Sequence, residues 1–280
     1  MCRGSRSPPN EGIFMTVEIY DSKETVTANT ALNTLLTSLP EPFVLLGGWA
    51  VYLTTSLSFG EIHGAPYLGS RDLDVGFHID LNMSVDELRQ STFSKAIDVA
   101  KNAGYFPHGS FRYCKIIRKE TGEILTETES KKIPMYELFY LYLDMMVDNI
   151  HPNHSDVFNM SVLDEPILAR IFDEKLGLIS QINETDVLLP PPYLLLATKL
   201  RAIQNRTRDD KTIKDACDIY ALIWHSSVDY NQIIKVVKEE YCKDCEKALQ
   251  VISENVARTD AYHLGIEYEQ YRDVIGKLKI

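Results

Sequence analysis

One run constrains this chain more than any other: Gly69, Ser70, Arg71, Asp72, Leu73, Asp74, Val75, Gly76, Phe77. Residues 68–77 read as a strand. Residues two apart on a strand share a face, so Asp72 and Asp74 project together while Leu73 and Val75 turn to a core. Two ionised carboxylates about 5 Å apart repel by about 3 kcal/mol at an effective dielectric of about 20. A bound divalent cation is the natural compensation, and Mg²⁺ takes hard oxygen ligands and phosphate. An Asp-x-Asp standing alone also suits an edge strand with two solvated aspartates, so its surroundings must decide.

Those surroundings are specific. Residues 43–46 form a short apolar run with strand character. Gly47 and Gly48 break it, and residues 49–57 read as a short helix behind them. Glycines at a helix start let a phosphate approach the backbone, where unpaired N–H groups wait. Gly60, Gly64 and Pro66 mark a loop before the aspartates. Strand, Gly-Gly, helix, loop, strand with Asp-x-Asp is far more informative than either motif alone.

Further along, Ser84 and Glu87 form a capping box for a helix reaching about residue 102. Residues 111–118 and 124–127 flank Thr121 and Gly122 as a hairpin. Residues 135–147 are an aromatic and branched strand, and residues 173–189 hold short extended pieces. After the break at Pro190, Pro191 and Pro192, apolar residues recur at helical spacing. The expected architecture is α+β, a mixed sheet flanked by helices with a helical C-terminal part. Residues 1–20 read as a flexible tail with Met15 a candidate start, residues 21–165 as the core, and residues 166–280 as mainly helical.

Charge narrows the partners. With 29 basic against 40 acidic residues, the net charge of −11 argues against a generic nucleic-acid coat but leaves room for a local basic groove. Five scattered cysteines suggest reduced thiols in the cytoplasm. No apolar stretch approaches the ~20 residues of a membrane span. Cys242 and Cys245 lack the second ligand pair that zinc needs. His151, His154 and Asp156 read as loop residues rather than a metal site.

Gly47-Gly48 followed by Ser70-Arg71-Asp72-Leu73-Asp74 resembles the nucleotidyltransferase superfamily pattern, and within it the AbiEii-like, type IV toxin-like group. The resemblance extends to Lys199, Arg201, Arg206, Lys214, Asp215 and Asp218, in the order of that group's helical motif, and covers residues 40–225. It implies transfer of a nucleoside monophosphate from an NTP to an acceptor hydroxyl. It also implies Mg²⁺ or Mn²⁺ held by Asp72, Asp74 and a third carboxylate, for which Asp144 is the candidate and Asp148 the runner-up. Gly47, Gly48, Ser70 and Arg71 would hold the nucleotide, Lys199 would neutralise triphosphate charge, and Asp215 or Asp218 would orient Lys199 or the acceptor. The acceptor is RNA, such as tRNA, or protein, and an antitoxin partner is implied. A small-molecule, antibiotic-type acceptor and a non-catalytic nucleotide-binding domain are the rival readings.

Overall fold

The computed structural model describes residues 19–182 and 185–279. The expected tail and the start at Met15 lie outside these residues, apart from its last two positions. The chain divides into two compact units. One joins Tyr20–Leu53 with Gly69–Thr198; the other includes Thr54–Leu68 and residues 199–279.

The first unit is built on a mixed sheet. Its strands are β1 (Val44–Leu45), β2 (Leu73–Phe77), β3 (Phe106–His108), β4 (Arg112–Arg118), β5 (Ile124–Leu125), β6 (Leu138–Val147), β7 (Leu163–Asp164), β8 (Leu178–Ile182) and β9 (Thr185–Leu189). Among the described residues the order is β3-β4-β6-β2-β1-β9-β8, with β5 beside β4 and β7 beside β6. Strand β2 runs parallel to β6 and antiparallel to β1, and β4 runs antiparallel to β6. The helices of the chain are α1 (Ser22–Leu36), α2 (Gly47–His63), α3 (Val85–Arg89), α4 (Thr92–Asn102), α5 (Glu127–Ser130), α6 (His154–Phe158), α7 (Ile167–Asp173), α8 (Pro192–Ile203), α9 (Asp209–His225), α10 (Tyr230–Glu240), α11 (Cys242–Val251), α12 (Glu254–Leu264) and α13 (Tyr268–Gly276). The expected α+β architecture with a helical C-terminal part is therefore present.

Period-two patterning explains how β2 is seated. Leu73, Val75 and Phe77 are fully buried, and Phe77 meets Phe93 of α4 edge to face. On the opposite face, Gly76 lies under Leu168 of α7, where a methyl would come within 2.4 Å of that side chain. Asp74 shares this second face, one step back along the strand.

Several boundaries differ from expectation for local reasons. Helix α2 continues through Gly60 to His63, because one glycine inside a helix costs only about 1 kcal/mol relative to alanine. Strand β2 begins at Leu73, which places Asp72 just before it. The Ser84–Glu87 capping box forms, yet its helix stops at Arg89 and Ser91 caps a second one, accepting from the Ser94 N–H. The hairpin about Gly122 forms as β4 and β5.

In the second unit α9 packs against α10, α12 and α13. It is buried from Lys214 to Ile223, so it forms the unit's centre rather than an amphipathic wall. Among the described residues no helix is long and apolar enough to cross a membrane.

Candidate active site

The sheet brings two of the expected carboxylates side by side. Asp74 on β2 and Asp144 on β6 are direct partners across the parallel ladder. Adjacent strands lie about 4.8 Å apart, so the two side chains leave the same face as neighbours. Asp72, two residues before Asp74, precedes the strand and is half-buried, as is Asp74 itself.

Gly47 closes the site from β1. The Leu46 N–H donates to the Asp74 carbonyl at 2.9 Å, which seats the end of β1 against β2. The chain then turns through Gly47 at φ +62° into α2. A Cβ at Gly47 would lie 1.8 Å from Asp74 Oδ2, so the missing side chain is what lets the carboxylate rest against the helix start. The first N–H groups of a helix have no intrahelical partner, which makes this end electropositive.

Arg112 is a site residue that sequence reading missed. It lies on β4 directly opposite Asp144 and grips it with two hydrogen bonds, Nε to Oδ1 at 2.9 Å and Nη2 to Oδ2 at 2.5 Å. Its guanidinium lies 4.6 Å from the centre of the Tyr142 ring. Burial lowers the Arg112 pKa, but the hydrogen bond and charge of Asp144, with the charges of Asp72 and Asp74, outweigh it and raise it overall. Arg112 thus feels all three carboxylates. No motif pointed to it, because its pairing depends on the β4–β6 register.

Other expected residues are placed differently. Arg71 pairs through Nε with Glu24 of α1 at 2.8 Å, beside Lys119, whose Nζ reaches the other Glu24 oxygen at 2.7 Å. Ser70 is buried just before it. Asp148 binds His78 and accepts from the Ile79 N–H at 2.8 Å. It sits four residues beyond Asp144, about 13 Å along an extended strand. His151 accepts from the Asn153 N–H and its other ring nitrogen meets the Met83 carbonyl, so its polar atoms serve the loop.

The second unit contains the helical motif as a buried ionic network. Lys199 of α8 reaches Asp215 at 2.9 Å and Asp218 at 2.7 Å, both on α9. Arg206 also binds Asp215, at 2.5 Å; Lys214 pairs with Asp218, and the Tyr67 hydroxyl donates to Asp218 at 2.8 Å. Burial opposes the charge on Lys199, but the two aspartates overcome it and hold its pKa above the ordinary lysine value. Burial lowers the Lys214 pKa, and Asp218 only partly offsets this. Burial pushes Asp215 upward, yet Lys199 and Arg206 win and hold it below the usual carboxylate range.

The donor set Asp72, Asp74 and Asp144 is all carboxylate oxygen, which suits Mg²⁺ or Mn²⁺ and not a soft metal. The Gly47 cradle and the in-register Asp74–Asp144 pair fit such an ion, with Asp144 already engaged by Arg112. Among the described residues no three His, Cys, Asp or Glu side chains are gathered into a ready metal site.

Residues 143–278 match the model of a nucleotidyltransferase family, which supports a nucleotidyltransferase enzyme. The matching family is described as nucleotidyl transferase AbiEii toxin, type IV TA system. The match includes Asp144, Lys199 and Asp215 but not Gly47-Gly48 or Asp72-Leu73-Asp74. No curated protein matches the chain. Among solved structures, an antigenic nucleotidyltransferase-like protein from Paracoccidioides brasiliensis is 17% identical, covering 85% of this chain and 94% of its own, with a TM-score of 0.39.

Proposed function

We propose that the chain moves a nucleoside monophosphate from an NTP to an acceptor hydroxyl on RNA, such as a tRNA 3′ end, or on protein, with Asp72, Asp74 and Asp144 holding Mg²⁺ or Mn²⁺. The observation that carries this reading is the Asp74–Asp144 pair on adjacent strands, with Gly47 packed against Asp74. When bound, the cation supplies charge neutralisation for the triphosphate and lowers the pKa of the attacking hydroxyl.

The chain's own groups do the remainder. Gly47 and Gly48 leave the first N–H groups of α2 open to the β- and γ-phosphates. Asp144 serves as ligand and as base toward the acceptor hydroxyl. Ser70 and Arg71 set the approach to Asp72, and the Arg71–Glu24 pair supports a positioning role for Arg71. Within the helical unit, two aspartate partners support a Lys199 ammonium that stays charged, with Asp215 orienting it. The AbiEii match supports a toxin-like role with an antitoxin partner. Among the described residues Cys114, Cys217, Cys242 and Cys245 are free, which suits the cytoplasm.

The test is transfer of α-³²P label from each NTP, with Mg²⁺ or Mn²⁺, into total RNA and protein extracts. A discrete labelled RNA or protein band, absent with Asp74→Ala, is the expected result. Label appearing only on small molecules would overturn the macromolecular acceptor, and no label at all would overturn the reading of the carboxylate site.

A further inference from the structure

We propose that Arg112 is a counter-cation built into the carboxylate site: it holds Asp144 and offsets the three aspartates until a divalent cation binds, then yields Asp144 to that cation. This rests on the reading of Asp72, Asp74 and Asp144 as metal ligands. Arg112 is then a positioning residue that sets metal affinity.

Four observations converge on it. The β4–β6 register places Arg112 directly across from Asp144, so the contact is built into the sheet. Both Asp144 oxygens are engaged, at 2.9 and 2.5 Å, so an incoming cation must share or take the same atoms. Asp144 is buried, whereas the Arg112 side chain keeps 30% of its exposure and has a route to solvent. The rings of Tyr142, at 4.6 Å, and Phe111, at 5.5 Å, give the guanidinium aromatic faces to rest on. A fork-shaped guanidinium matches a carboxylate far better than an ammonium does.

The experiment titrates Mn²⁺, followed by its free-ion EPR signal, into wild type, Arg112→Gln, Arg112→Lys and Asp74→Ala without nucleotide, with thermal melts of each protein. Removing the competing cation should tighten Mn²⁺ binding by about tenfold or more in Arg112→Gln, with Arg112→Lys in between, since lysine keeps the charge without the fork. The Arg112→Gln melting temperature should fall without metal and recover with it. Unchanged or weaker Mn²⁺ binding by folded Arg112→Gln and Arg112→Lys, while wild type binds and Asp74→Ala does not, would overturn the role of Arg112 and leave the carboxylate site standing. Absence of Mn²⁺ binding in wild type and Arg112→Gln alike would overturn both.

Discussion

At Gly47 a single methyl group is enough to disturb the site. Its φ of +62° costs a non-glycine residue about 1–2 kcal/mol. The added Cβ would also overlap the Asp74 carboxylate, 1.8 Å from Oδ2 and 2.6 Å from Cγ. Something must shift, and displacing a reacting group by about 1 Å costs on the order of 100-fold in rate. Gly47→Ala should therefore lose about 100-fold in kcat while its far-ultraviolet circular dichroism stays native. A wild-type rate in this variant would show that the Gly47–Asp74 contact has no part in catalysis.

Much of this residue-scale chemistry was legible because it is local. Leu73, Asp74 and Val75 announce their faces through spacing alone, and Leu73 and Val75 are buried as that spacing requires. Arg112 was not legible, since its meaning lies in a strand pairing with a residue 32 positions away. The pairing of Arg71 with Glu24 of α1 was hidden for the same reason.

At the scale of elements, α8 and α9 are tied by charge in a place where charge is expensive. Lys199, Lys214, Asp215 and Asp218 are all buried, and removing one partner of a buried pair typically costs about 3–5 kcal/mol. Lys199→Ala should sit near the lower end, about 3 kcal/mol, because Arg206 still serves Asp215 and Lys214 still serves Asp218. Denaturant unfolding followed by circular dichroism measures this. A variant as stable as wild type would mean the network contributes little, and its activity could then be read directly. The sequence shows the order Lys199, Lys214, Asp215, Asp218 and their helical spacing, which suffices to place both aspartates and Lys214 on one side of α9. It does not show that Tyr67, far back in the chain, completes the network. Helix ends were read well where a cap is local, as at Ser84 and Glu87, and poorly where a tolerated glycine, Gly60, lets α2 run on.

For the whole molecule, pH is the lever that reaches each unit separately. In the sheet unit His154 is buried against Phe93 and Phe158, and burial lowers its pKa from 6.5 to about 4. A depressed folded value means its stabilising contribution is complete above 6.5 and is lost as pH falls toward 4. In the helical unit Asp260 is buried and accepts from the Tyr271 hydroxyl, and burial raises its pKa well above 3.8. A raised folded value means its contribution is complete below 3.8 and is lost as pH climbs through the folded value. Thermal melts from pH 4 to 9 should show His154→Phe less sensitive than wild type on the acid side. Asp260→Asn should be less sensitive on the alkaline side. Parallel curves for wild type and either variant would contradict that residue's assignment.

Asp74 and Asp144, paired across β2 and β6, are assigned as the transfer site, with Asp148 outside it. The most direct measurement is the initial rate of α-³²P transfer by purified wild type, Asp74→Ala, Asp144→Ala and Asp148→Asn, each verified as folded. The first two variants should lose at least about 1000-fold, the scale of removing charged transition-state stabilisation. Asp148→Asn should stay within about tenfold of wild type, since that side chain serves His78 and the Ile79 N–H. A wild-type rate in Asp144→Ala, or loss confined to Asp148→Asn, would contradict the assignment.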